Sequence, residues 1–227
     1  MAKKTFLDFE QPIAELETKI EVKKFHGSVN VDAGGWYRLE LRASHPGTAT
    51  TVAVVEHVGV GEVFVVAGQS NSANHGAEKQ SPKSNRVVNF DGKRWQIAND
   101  PQPGASGGGG SFIPPFGEAI AEKFKVPVGF VTCGVGATSV REWLPKGEKF
   151  PNPPTIERNV KKVAEGEWES RGDIYSSFTE RMKQLGPSGF RAVLWHQGES
   201  DANQKDTTRT LSGKLYREYL EKLIRNS

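Results

Sequence analysis

Glu62-Val63-Phe64-Val65-Val66-Ala67-Gly68-Gln69-Ser70-Asn71-Ser72 is the stretch on which the reading of this chain turns. The apolar run from Val63 to Ala67 has the length and β-branched content of a buried strand, and it stops at a glycine. A serine just past the carboxyl end of such a strand has its hydroxyl held at the mouth of an α/β sheet. Gly68 permits a sharp turn, and the backbone N–H groups after Ser70 face any oxygen bound there. A nucleophilic serine needs both features, a fixed hydroxyl and amide donors for the charge of a tetrahedral intermediate. The plainer reading makes Ser70 the N-cap of a following helix, so the rest of the chain has to decide.

Composition narrows the field. The 227 residues suit one ordinary domain with a small appendage, large enough to bury a real core. The 30 basic and 27 acidic residues leave a net charge of +3 that is spread along the chain. That balance favours neither a nucleic-acid partner nor an anionic membrane surface. The single cysteine, Cys133, excludes an intrachain disulfide and a thiol metal cluster. No run reaches the roughly 18 apolar residues of a spanning helix. The first 25 residues, with Lys3, Lys4, Asp8, Glu10, Glu15 and Glu17, lack the apolar centre of a signal peptide, so the chain as written reads as cytoplasmic.

Three segments are expected. Residues 1–22 read as an amphipathic helix, with Pro12 in the first turn and Ile13, Leu16 and Ile20 at helical spacing. Residues 23–57 read as a partial β region. Its strands are Ser28–Asp32, Trp36–Arg42 and Thr51–Val55, with a turn at Gly34-Gly35. Residues 58–227 alternate apolar runs with helical segments, the rhythm of a parallel α/β sheet. Strands are expected at Arg86–Phe90, Val126–Cys133 and Phe190–His196. Helices are expected over Phe116–Lys125, Tyr175–Leu185 and Leu211–Ile224. The stretch Pro103–Ser111, with four consecutive glycines, reads as a flexible surface loop.

Two more strand ends carry polar, glycine-containing loops. After Val128–Cys133 comes Gly134-Val135-Gly136-Ala137-Thr138-Ser139, where the glycines let a backbone N–H approach a ligand. After Arg191–Trp195 comes His196-Gln197-Gly198-Glu199-Ser200-Asp201, with a carboxamide and a carboxylate. Ligands of open α/β sheets lie outside the carboxyl ends of the strands, so three such loops on one edge say more than any one of them.

These blocks resemble the sialate O-acetylesterase and acetylxylan esterase group of SGNH hydrolases, a carbohydrate esterase family. The resemblance rests on Gly68-Gln69-Ser70-Asn71, Gly136-Ala137-Thr138 and Trp195–Asp201. Val60-Gly61-Glu62-Val63 and Trp143-Leu144-Pro145 extend it. It implies a flavodoxin-like three-layer α/β/α fold, hydrolysis of acetyl esters on a carbohydrate partner, and no metal or organic cofactor. Carried over, Ser70 is the nucleophile. The oxyanion hole is its own N–H, that of Gly136 and the side-chain amide of Gln197, and Glu199 supports the loop by accepting hydrogen bonds. Ala137 stands where the family commonly has a second glycine, which a negative φ would accommodate. Relatives often act in the periplasm or outside the cell.

One part of the pattern is absent. The family's base is a histidine in an Asp-x-x-His motif near the carboxyl terminus. Of the five histidines, His26, His45, His57, His75 and His196, none follows an aspartate at that spacing. The expectation is a carboxyl-terminally truncated esterase with nucleophile and oxyanion hole but no competent dyad. His75 and His196 are the substitutes at hand, though surface or packing roles are commoner for such histidines. Residues 5–20 resemble instead the start of the carboxyltransferase α subunit of bacterial acetyl-CoA carboxylase and read as a fused leader.

Two rival functions remain on the sequence. A dinucleotide site at Gly134-x-Gly136 wants a third glycine at position 139, where Ser139 stands, and the glycine run lacks a P-loop ending. A non-catalytic carbohydrate-binding or assembly module would keep the esterase fold, with Trp95, Trp143 and Trp168 available to stack on sugar rings.

Overall fold

A computed structural model of the chain describes residues 29–32, 34–44, 46–47, 49–202 and 205–227. The expected amino-terminal helix, His26 and His45 lie outside those residues. The first elements are β1 (Gly35–Ala43) and β2 (Thr51–Val60), an antiparallel pair. Among the described residues two strands form where three were expected. Val29–Asp32 is not a strand, and Gly34-Gly35 leads into β1 instead of turning between two strands. Nor does the chain break at residue 58: β2 runs to Val60, and Gly61 alone separates it from β3 (Glu62–Gly68).

The main sheet follows the apolar runs. It contains β3, β4 (Val87–Phe90), β5 (Trp95–Ile97), β6 (Val128–Thr132) and β10 (Ala192–His196). Their order is β10-β3-β6-β4-β5, parallel throughout except for β5. Parallel strands are covered on both faces, so their sequences read as continuous apolar runs. Period-two alternation then decides which residue meets which helix. Val66, Val128 and Phe130 face α1 (Ile113–Phe124), packing with its Ile113 and Ala121. Val65, Ala67, Val131 and Cys133 face the other way, towards Ile174 and Phe178 of α2 (Asp173–Lys183) and Leu223 of α3 (Gly213–Asn226). This is the expected three-layer α/β/α arrangement. The three helices begin within three residues of where the periodicity puts them. The Ser212 hydroxyl caps α3 by accepting from Leu215 N–H.

A small antiparallel sheet has no counterpart in the sequence reading. It joins β7 (Lys149–Phe150), β8 (Val160–Ala164) and β9 (Glu167–Ser170) in the order β7-β9-β8. Its strands are short and charged, and they buy little burial beyond Phe150, Val160 and Ser170. The tryptophans are likewise occupied by packing. Trp143 is fully buried between Phe178 and Trp195, Trp95 packs on Phe90, and Trp168 joins the cluster of Val140, Leu144 and Tyr219.

Cys133 sits at the end of β6, 6% exposed. Burial pushes its thiol pKa up to about 12, so the reactive thiolate is scarce at neutral pH. The folded protein should therefore resist an aromatic disulfide reagent at pH 8 and release one thiol equivalent only in denaturant. Fast native labelling, read by absorbance, would contradict the packing described.

Candidate active site

β6, β3 and β10 are neighbours in the sheet, so the three loops after them emerge side by side. Gly68 ends β3 at φ 124°, and a Cβ there would lie 2.1 Å from the His196 carbonyl oxygen. Only glycine lets the chain turn that close to β10. Gln69 N–H then donates to that same carbonyl at 2.9 Å. Ser70 follows, half-buried, as the first residue of a 3-10 turn over Ser70–Ser72. This is neither the N-cap of an α-helix nor a free loop.

The Gln69 side chain is 4% exposed and ties this loop to the third. Its Oε1 accepts from Gln197 Nε2 at 3.2 Å and Ser200 N at 3.1 Å. Gln197 Nε2 also donates to Thr138 O at 2.9 Å and to Asp201 Oδ2. One carboxamide nitrogen thus touches all three loops. Below it, Asp201 accepts from the Ser139 hydroxyl, from Val140 N–H at 2.9 Å and from Arg141. Arg141 is fully buried, and its remaining donors reach Ser139 Oγ and the carbonyls of Asn152, Pro153 and Arg209. Burial pulls its guanidinium below its ordinary pKa, opposed chiefly by the Asp201 charge. Glu142 is buried alongside, which raises its carboxyl pKa against the hydrogen bonds from Ser139 N–H and Asn159.

The Gly-rich stretch is not the flexible loop its composition implies. Asn74, 1% exposed, donates from Nδ2 to the carbonyls of Gln102 and Ala105 and accepts from Gln102 N–H on Oδ1. Its backbone pairs with Ser106 and Gly109, and Gly76 exchanges both backbone bonds with Gly110. A Cβ on Gly110 would lie 1.7 Å from the Glu78 carbonyl. The glycines allow two backbones to run in contact.

Together the loops enclose an open cleft of about 470 Å³ lined by Ser70, His75, Ser106, Gly136, Arg158 and Glu199, among others. Three of the four expected site residues, Ser70, Gly136 and Glu199, are thereby brought together. Glu199 Oε1 accepts from Asn71 Nδ2 at 2.7 Å. Gln197 is the correction. It does not line the cleft, and its Nε2 is already directed at three acceptors, which leaves no proton free for an oxyanion. Ala137 sits at φ 61° instead of the negative φ that would suit a methyl group.

Both nearby histidines have other partners. His75 Nε2 lies 3.2 Å from Ser106 Oγ, which also accepts from Gly136 N–H at 2.7 Å. His196 Nε2 faces Glu199 Oε1 and Asn71 Nδ2, each at 3.5 Å. Ser106, Asn74 and Arg158 had no sequence signal beyond Ser106 bearing a side chain among glycines.

The family model described as carbohydrate esterase, sialic acid-specific acetylesterase matches residues 60–227. No curated protein matches the chain in sequence. Among solved structures, a protein from Arabidopsis thaliana is 20% identical, with a TM-score of 0.48, over 73% of this chain and 66% of its own. A carbohydrate acetylesterase from Xanthomonas citri is 21% identical, with a TM-score of 0.45, over 86% of this chain and 43% of its own. The chain therefore spans just under two thirds of the plant protein and less than half of the bacterial one.

Two substitutions test the site's construction. Asp201→Ala leaves Arg141 buried without its counter-charge and should cost about 3–5 kcal/mol in urea unfolding. Ala137→Gly removes a left-handed L-residue and should raise stability by about 1 kcal/mol. A neutral Asp201→Ala or a destabilising Ala137→Gly would refute the respective geometry.

Proposed function

The chain belongs to the sialic acid-specific acetylesterase family of carbohydrate esterases, and on that premise we propose that it removes O-acetyl groups from a sugar through Ser70. Support comes above all from one arrangement: Ser70 and the Gly136 loop share a cleft at adjacent strand ends. In this reading Ser70 Oγ attacks the acetyl carbonyl carbon, and the carbonyl oxygen gains negative charge against donors fixed before the substrate arrives. Collapse of that intermediate releases the sugar hydroxyl and leaves acetyl on Ser70, which water then removes. Arg158 and Ser200 stand at the cleft wall, where a sugar's hydroxyl or acidic groups would lie.

A second reading is favoured by the imidazoles. Among the described residues, His75 is engaged with Ser106 and His196 faces Glu199 and Asn71. A cleft of this kind that binds an acetylated sugar without turning it over would be a carbohydrate-binding module on an esterase fold. Release of p-nitrophenol from p-nitrophenyl acetate separates the two. The esterase reading expects saturable turnover that Ser70→Ala lowers by about a thousandfold or more. Calorimetric binding of an acetylated sugar, with hydrolysis equal in wild type and Ser70→Ala, would support the module instead.

A further inference from the structure

The carbonyl oxygen of a bound acyl group cannot reach every donor expected of this site. Gln197 is spent on Gln69, Thr138 and Asp201. The Gly136 N–H is capped, since it donates to Ser106 Oγ at 2.7 Å. The hydroxyl that caps it belongs to a residue of the same cleft, and it is firmly placed. Ser106 N–H donates to Gly134 O at 2.8 Å, and Ser106 O accepts from Asn74 N–H at 2.9 Å. On its other side the hydroxyl meets His75 Nε2 at 3.2 Å. That imidazole lies over Gly136 so closely that a Cβ there would be 2.5 Å from Nε2.

A serine oxygen has two acceptor positions and one proton. In the His75 tautomer that carries its hydrogen on Nε2, that N–H and Gly136 N–H fill the two acceptor positions, and the Ser106 proton is directed away from both, towards the cleft that all three residues line. We propose that Ser106 is a catalytic residue of the acyl pocket, whose hydroxyl donates to the oxyanion, and that His75 is a positioning residue that keeps this proton pointing at the substrate. Gly136 then acts through Ser106, its N–H polarising the hydroxyl instead of touching the acyl oxygen. Hydrogen bonds in series strengthen one another in this way. The inference rests on the esterase reading above and adds a donor from the Gly-rich loop to it.

Diethyl p-nitrophenyl phosphate tests the pocket without requiring full turnover. Ser70 Oγ attacks phosphorus, the new O–P bond replaces the P–O(aryl) bond, p-nitrophenolate leaves with the electron pair, and the serine proton passes to solvent. The phosphoryl oxygen occupies the acyl-oxygen position. Intact mass and peptide mapping read the adduct, and absorbance reads its rate. Ser106→Ala should slow labelling by about 100-fold while still melting cooperatively as a folded protein. Ser106→Thr, which keeps the hydroxyl, should stay within about fivefold of wild type. His75→Gln, which keeps an N–H donor, should retain the rate, while His75→Phe should lose it as Ser106→Ala does. Labelling of Ser106→Ala at the wild-type rate, with Gly136 N–H reaching the phosphoryl oxygen directly, would overturn the inference and leave the esterase reading intact. Equal rates in His75→Gln and His75→Phe would overturn the role given to His75. Wild-type protein that takes no label on Ser70 would overturn the esterase reading, and the inference with it.

Discussion

Polar groups buried at the carboxyl edge of the sheet must all find partners, and that requirement shapes the site. Three loops leave β6, β3 and β10 within a few ångströms of one another, carrying backbone amides and carbonyls into a region shut off from water. An unpaired buried group there costs about 1–3 kcal/mol. The chain meets most of the requirement with side chains reaching across loops, leaving Gln197 Oε1 and Asn152 Oδ1 without a hydrogen-bond partner among the described residues. Gln69 collects donors from the third loop, Gln197 divides one nitrogen among all three, and Asp201 and Arg141 saturate the layer beneath. These bonds tie the three loops to one another, and Ser70 sits on the tied segment.

Chemistry follows from where the polar supply is used up. Groups committed to holding the loops are unavailable to a substrate, which removes Gln197 from the cleft's donors. Beside Arg158, Glu199 and Ser200, the cleft is faced by a serine just past the end of β3 and a second serine backed by a glycine amide and an imidazole. A fixed donor costs little reorganisation when charge develops beside it, which is the condition for electrostatic stabilisation of a transition state. Placement of the Gly-rich stretch against the Ser70 loop, through Asn74 and Gly76, brings the second serine there.

The parts legible in the sequence are those whose signal is local. Val63–Ala67, Val128–Cys133 and Ala192–Trp195 are apolar runs ending in polar loops, so the parallel sheet and its functional edge can be read directly. The small sheet of β7, β8 and β9 is not legible, because Lys161, Lys162, Glu165 and Glu167 swamp the alternation of a half-exposed strand. The Gly-rich stretch misleads for a different reason. Glycine marks both flexible chain and chain packed too tightly for a Cβ, and composition does not separate the two. Gln197 misleads because a carboxamide at a strand end suits oxyanion donation and loop clamping equally. Only its acceptors, distant in sequence at Gln69 and Thr138, decide between them. The pairing of His75 with Ser106 spans 31 residues and leaves no local trace.

Gln197 is where the clamp can be tested most directly. Urea unfolding of Gln197→Ala, run beside the labelling rate of Ser70, separates a residue that holds loops from one that holds an oxyanion. As a clamp, its loss should lower folding stability by about 1–3 kcal/mol and slow Ser70 only as the loops loosen. Unchanged stability together with a collapse in the Ser70 rate would show that the carboxamide serves the reacting oxygen, and the polar clamp would not be the basis of the site.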